Sequence, residues 1–248
     1  GINIHTGVNV AQIEAKSGGV EAALSGGQTL AVDKVLVATG RRPNTQTLGL
    51  ESIGLDSDRG FIRVNDQMRT AVDGVYCIGD ANGRCLLAHA ASAQGEVAVR
   101  NALGESVEQT LPVPNAVYTF PEIASVGITT KQAQQQDIPV RIGEFPIGHL
   151  GKAMAVGEEF GFVRVLRHYH DETLLGVHVI GHNATEIIES ATAMLSQKAS
   201  GRDLAHMIFA HPTLSEAVKE AAEDAFDSAL HLPPRKLTPV MADALAID

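Results

Sequence analysis

The stretch Phe209-Ala210-His211-Pro212-Thr213-Leu214-Ser215-Glu216-Ala217-Val218-Lys219-Glu220 constrains this chain more tightly than any other. Proline holds the residue before it in extended geometry and allows a tight cis turn, so His211 sits on a stiff link. Five residues on, Glu216 opens a segment rich in Ala and Glu. Residues 217–229 read as a helix, with Ala217, Val218, Ala221, Ala222 and Ala225 on overlapping apolar faces. Thr213 or Ser215 is placed to cap it, and Glu216 lies in its first turn, where the helix dipole favours negative charge. A fixed imidazole beside a fixed carboxylate is the arrangement of an oriented general base. The carboxylate holds one ring nitrogen, selects the tautomer and stabilises the imidazolium. On spacing alone, a helix start with an incidental histidine is the better reading. The rest of the chain reverses that order.

The 248 residues suffice for one large or two medium domains with an ample core. A net charge of −10 argues against nucleic acid or an anionic membrane as partner, since both need clustered Lys and Arg. Zero tryptophans and 4% aromatics disfavour a stacking platform for single strands. No apolar run approaches the ~20 residues of a membrane span, and residues 1–10 lack the regions of a signal peptide. Two cysteines, Cys77 and Cys85, fit a reducing compartment rather than a disulfide framework.

Taken in order, residues 8–15, 20–24, 29–32 and 35–37 are short alternating runs, the first three separated by Ser17-Gly18-Gly19 and Ser25-Gly26-Gly27. This predicts a β-meander ending in a buried-type strand over 34–38, followed by Thr39-Gly40-Arg41-Arg42-Pro43-Asn44. Small residues at the end of such a strand let backbone approach a ligand closely. Residues 60–70 alternate like a strand and lead through Ala71-Val72-Asp73-Gly74 into a short apolar strand, Val75-Tyr76-Cys77-Ile78-Gly79-Asp80. An acid at a strand terminus after glycine can accept a hydrogen bond from a ligand hydroxyl. An Ala-rich helix then opens near Leu86 and runs to about Leu103, its free N–H groups pointing back towards whatever Asp80 binds. The chain opens inside a strand-like run, as a fragment starting within a domain would. Beyond the linker Pro112-Val113-Pro114, strands are expected over 116–120, 125–127, 141–146, 161–167 and 174–180. Helices are expected over 131–136, 184–198 and 204–208. A sheet with helices on one face is an α+β layer.

Strand–Ala-Thr-Gly-Arg-Arg-Pro-Asn, Gly-x-Ile-x-Val-x-x-x-x-Arg-Thr, Val-Tyr-x-Ile-Gly-Asp and His-Pro-Thr-x-x-Glu, in this order, resemble the flavin-dependent pyridine-nucleotide disulfide oxidoreductases. Within that family the resemblance is closest to the dihydrolipoyl dehydrogenases, carried by Leu87-Ala88-His89, Tyr118-Thr119-Phe120-Pro121-Glu122-Ile123-Ala124-Ser125-Val126-Gly127 and Ala210-His211-Pro212-Thr213-Leu214-Ser215-Glu216. The resemblance implies an α/β and α+β chain. Residues 1–44 would be the end of a nucleotide-binding NAD domain, 45–112 a central, FAD-contacting domain, and 113–248 an interface domain for dimerisation. It implies that dihydrolipoyl groups are oxidised through a redox disulfide, then FAD, to NAD.

By the same resemblance, His211 and Glu216 are the catalytic pair, offered across a homodimer interface to the partner's flavin. Asp80 holds a ribityl hydroxyl of FAD, and Leu87, Ala88 and His89 lie near its isoalloxazine. Gly40 and Val8 contact NAD. Lipoyl domains of 2-oxo-acid dehydrogenase complexes are the implied partners, in the bacterial cytoplasm or the mitochondrial matrix. No metal site, nucleic acid or membrane enters this reading: His168, His170 and Asp171 are expected on a solvent-facing hairpin, and Glu122 in a solvated turn. The family's Cys-x-x-x-x-Cys and Gly-x-Gly-x-x-Gly are absent from these 248 residues, so the expectation is the carboxyl-terminal half of such an enzyme, inactive alone and binding both cofactors weakly or not at all. A glutathione or mercuric reductase, or a dimerisation module without catalysis, stays open. The apolar stripe Ala184, Ile187, Ile188, Ala191, Met194 and Leu195 is expected to pair the two copies.

Overall fold

The computed structural model describes residues 1–233, so the last part of the expected interface segment, 234–248, lies outside the described residues. The chain divides into two compact units, Gly1–Thr45 and Gln46–Asp248.

The first unit is an antiparallel meander of β1 (Val10–Lys16), β2 (Gly19–Leu24) and β3 (Thr29–Val32), in that spatial order. The glycines act where the chain reverses: Gly18 and Gly26 take φ of 125° and 108°, a region that L side chains avoid. Ala22 and Leu24 of β2 are buried while Glu21 is exposed, the period of a strand with one covered face. The strand expected over 34–38 does not form. Leu36 and Val37 are 89% and 67% exposed, and no ladder in this unit reaches them. A buried-type strand exists only where a neighbour supplies its hydrogen bonds and cover.

In the second unit, residues 50–82 fold as turns and single bridges rather than the two strands expected over 60–70 and 75–80. Arg69 bridges Tyr76 and Asp58 bridges Phe61, while the Cys77 amide donates to Met68 O at 3.1 Å. Met68 at φ 62° interrupts the extended run. Leu55, Ile62 and Cys77 make one small core, and Met68 packs against Val97 and Ala98 of α1 (Ala88–Ala102) in another. Gln94 on α1 accepts from the Gly79 amide and the Asn82 side chain, both at 2.7 Å, fixing the 79–82 turn to the helix.

The larger core lies under a five-stranded antiparallel sheet. Its strands are β4 (Asn115–Val117), β5 (Glu122–Gly127), β6 (Val140–Pro146), β7 (Gly161–His168) and β8 (Leu174–Gly181), ordered β4-β5-β8-β7-β6. A short α2 (Thr130–Gln135), closed by a Thr129–Gln132 capping box, and α3 (Gly151–Val156) sit between strands. Register aligns Ala124, Val179, Val163 and Phe145 in one row, and Val126, Val177, Val165 and Gly143 in the next. Both rows are buried. That face is covered by α4 (Ala184–Ser196), α5 (Gly201–His206) and α6 (Glu216–Asp224). The α+β layer forms as its alternating strands predict.

Two expectations change here. Ala184, Ile187, Ile188 and Ala191 are buried in the chain's own core, with Met194 and Leu195 packed against it, so this stripe faces the sheet and not a second copy. The last helix spans Glu216–Asp224, shorter than the expected 217–229, because Asp227 turns the chain at φ 60°. At Gly143 a Cβ would fall on the Ala221 carbonyl and the Ala225 amide, so glycine lets α6 lie directly on β6. Asp224 then accepts the Glu144 amide at 2.8 Å, and Arg167 Nε donates to Ala225 O at 3.0 Å. These contacts fix the helix that carries Glu216.

Candidate active site

His211 and Glu216 meet. His211 Nδ1 lies 2.9 Å from Glu216 Oε1, while Glu216 Oε2 accepts the Thr213 amide at 2.8 Å. The His211–Pro212 bond is cis. Neither expected cap acts as one: Ser215 precedes α6 without a side-chain bond to it, and the Thr213 hydroxyl donates to Ala210 O at 2.8 Å. Glu216 itself takes the spare amide of the turn. Its two oxygens thus fix both the ring and the backbone that bears the ring.

The imidazole is largely open to solvent, 76% for its side chain against 21% for Glu216. Burial resists ionisation of Glu216, but the Thr213 amide and the His211 ring outweigh it, and His231 adds to them. Its carboxyl therefore lies below the ordinary glutamate value. A lasting carboxylate at Nδ1 leaves Nε2 as the ring nitrogen open to proton transfer.

Asp80 lies in the tight 3-10 turn Gly79–Asn82, not at the end of a regular strand. Leu87 is the extended residue before α1, Ala88 is its first residue, and no side chain caps this end. His89 Nε2 sits 2.7 Å from Pro114 O, tying the first turn of α1 to the chain beyond it. Asp80 and the open amides of α1 fit one wall of a flavin site: an acceptor for a hydroxyl beside donors for a carbonyl or anion. In the other unit, Gly40 takes φ 112° with open space where a Cβ would stand, and Val8 is 40% exposed. A left-handed, uncrowded glycine fits close backbone approach by a dinucleotide.

Burial pushes the thiols of both Cys77 and Cys85 up, and the Leu87 amide only partly offsets this at Cys85, so neither favours a thiolate. Among the described residues, no group of three His, Cys, Asp or Glu side chains could hold a metal ion. No helix among them is long and apolar enough to cross a membrane. His168 instead pairs with Asp171 at 2.8 Å. Glu122 is not in a solvated turn: it accepts from the Thr185 amide and hydroxyl at 3.1 and 2.8 Å, serving the N-terminus of α4 that Asn183 leaves uncapped. Sequence reasoning missed this and a second pair, His231 with Glu220 at 2.6 Å. The only signal for the latter was Glu220 standing four residues after Glu216; His231 follows no periodicity.

The sequence profile of the pyridine nucleotide-disulphide oxidoreductases matches residues 1–95, and that of their dimerisation domain matches residues 113–222. The chain belongs to this family. Dihydrolipoyl dehydrogenase of Thermus scotoductus is 43% identical over 238 residues, covering 94% of this chain and 52% of the relative. The Chlamydia muridarum dihydrolipoyl dehydrogenase is 41% identical, covering 95% and 51%. A mitochondrial dihydrolipoyl dehydrogenase of Arabidopsis thaliana is 40% identical over 86% of this chain and 43% of its own. The chain thus spans about half the length of the curated relatives it matches. A crystal structure of LpdA from Mycobacterium tuberculosis superposes with a TM-score of 0.82 at 29% identity, covering 87% of this chain and 48% of that one. The HOCl-induced flavoprotein disulfide reductase RclA of Escherichia coli, at 24% identity and a TM-score of 0.78, shares the fold over 87% of this chain and 50% of its own. The mixed α/β fold of this family member is therefore the family's.

Proposed function

We propose that this family member is the carboxyl-terminal half of a flavin-dependent dihydrolipoyl dehydrogenase, in which His211 is the general base and Glu216 its orienting carboxylate. The observation that carries this is the two-point grip of Glu216 on the His211 ring and the Thr213 amide. A thiol with its unperturbed pKa near 8.5 is mostly protonated at neutral pH and a poor nucleophile. His211 Nε2 takes that proton, and Glu216 holds the resulting imidazolium in place. When bound, FAD supplies the two-electron relay between a disulfide and NAD. This chain's part is to hold it by Asp80 and the 87–89 turn, to meet NAD at Gly40 and Val8, and to move the proton.

In this reading the segments 1–44, 45–112 and 113–248 belong to the NAD, central and interface domains. The working unit is a homodimer that receives lipoyl domains, in a bacterial cytoplasm or a mitochondrial matrix. Phe120, Tyr118 and Ile208, at 92%, 80% and 98% exposure, are the apolar groups that a second copy would cover.

In the full-length enzyme, His211→Gln keeps a side chain of similar length and loses the base. Dithiol oxidation is expected to fall by roughly 10²–10⁴-fold. NADH oxidation by an artificial acceptor, which bypasses the dithiol, should hold steady. Equal loss of both activities would overturn the assignment. The 248-residue chain alone is expected to be inactive and to quench FAD fluorescence only weakly, since Asp80 and one helix end make a single wall. Sub-micromolar affinity for FAD would contradict this.

A further inference from the structure

Glu216 is one of two carboxylates on α6 that grip an imidazole. One turn on, Glu220 is 4% exposed. Its Oε1 lies 2.6 Å from His231 Nδ1, and its Oε2 accepts the His231 amide at 3.2 Å. This repeats what Glu216 does with His211 and the Thr213 amide. Residues four apart stand on the same helix face, and the two glutamates line one cavity of about 430 Å³. The titratable groups facing it are Glu216, Lys219, Glu220 and Glu223 from α6, His206 from the end of α5, and His231 from the segment after α6. Lys219 is paired with Glu223 at 3.3 Å.

We propose that Glu220 and His231 are a positioning pair for the His211–Glu216 base: they close the cavity behind Glu216 and set, through their charges, how firmly His211 keeps its proton. The proposal rests on reading His211 as a proton acceptor. Glu220 is nearly dry, and a buried carboxylate needs a partner; His231 is that partner, with its ring nitrogen at 2.6 Å and its backbone amide donating at 3.2 Å. A positive His231 also favours ionised Glu216, alongside the Thr213 amide and His211, against the resistance of burial. With both ring protons on His231 the pair as a whole is neutral. Replacing His231 by an uncharged residue leaves Glu220 as an uncompensated negative charge one helical turn from Glu216, and His211 then holds its proton more tightly.

The test is a proton NMR titration of the His211 ring in this chain, with His231→Gln and His231→Lys beside the original. His231→Gln should raise the His211 midpoint by about 0.3–0.5 pH unit at low ionic strength, and by less in added salt, because both rings are exposed. His231→Lys restores the positive charge and should leave the midpoint within about 0.1 unit of the original, the shift that a charge of the same sign cannot produce. A shift under 0.1 unit in His231→Gln, or equal shifts in both variants, would overturn the proposal, the second because both variants break the ring contact alike. His231 is exposed enough that both should fold, which circular dichroism checks. The titration needs no cofactor or substrate. A dithiol step insensitive to His211→Gln with the coupling intact would therefore sink the general-base reading, whereas the reverse pattern would sink only this inference.

Discussion

The meander of residues 10–32 and the sheet of residues 115–181 are both antiparallel and both read from alternating sequence, yet they end differently. In the sheet, every residue in the two aligned rows on the inner face is buried, because three helices cover that face. In the meander, Ile13, Val10 and Val32 remain 46%, 56% and 39% exposed, and the run at 34–38 forms no strand. Alternation records which face of a strand can be buried; burial itself requires a second layer. The same contrast separates chemistry from scaffold. Glu216 can orient His211 because α6 is locked on β6 through Gly143, Asp224 and Arg167, while Gly40 and Val8 lie on exposed backbone.

The sharpest way to break this comparison is a pair of truncations. Phe145→Ala, at a fully buried position of β6, should cost about 3–5 kcal/mol in chemical denaturation of the second unit. Leu36→Ala, at a site 89% exposed, should change stability by no more than ~0.5 kcal/mol. Comparable losses would mean that residues 34–38 are covered in solution and that the contrast is false.

A smaller effect is expected where the sheet reaches out to a helix. Glu122→Ala removes the acceptor for Thr185 at the start of α4 and should cost about 1 kcal/mol, as loss of an N-terminal capping group does. Amide exchange at Thr185 and the next two residues should quicken, with β1–β3 unaffected. Uniform quickening across both sheets would show that the effect is not local.

The smallest effect is in acid. The folded-state pKa of Glu216 is depressed, so its contribution to stability is present above the unfolded value, ~4.3, and is lost as pH falls through the lower folded value. The stability difference between the original chain and Glu216→Gln should be flat from neutral pH down to that range and shrink below it. A difference that instead grew on acidification would mean that the carboxyl is raised, and that the grip on Thr213 and His211 does not hold in solution.

Much of this was legible in the sequence. Residues 140–181 alternate cleanly, so the β6–β7–β8 meander falls within a residue or so of expectation. The order Ala210-His211-Pro212-Thr213 with Glu216 allowed an imidazole held by a carboxylate, but spacing alone favoured an incidental histidine, and only the motifs in the rest of the chain singled out the pair. Tertiary structure decided the rest. It turned the apolar stripe of α4 inward, since a stripe says that a face will be buried but not by what. It reduced residues 60–80 to turns and bridges around Met68 and Cys77, whose packing against α1 replaces a ladder. It brought His231 to Glu220 across eleven residues with no repeat to betray it. Local patterns are set by geometry along the chain, whereas partners across it are chosen by which surfaces remain to be covered once the layers have packed.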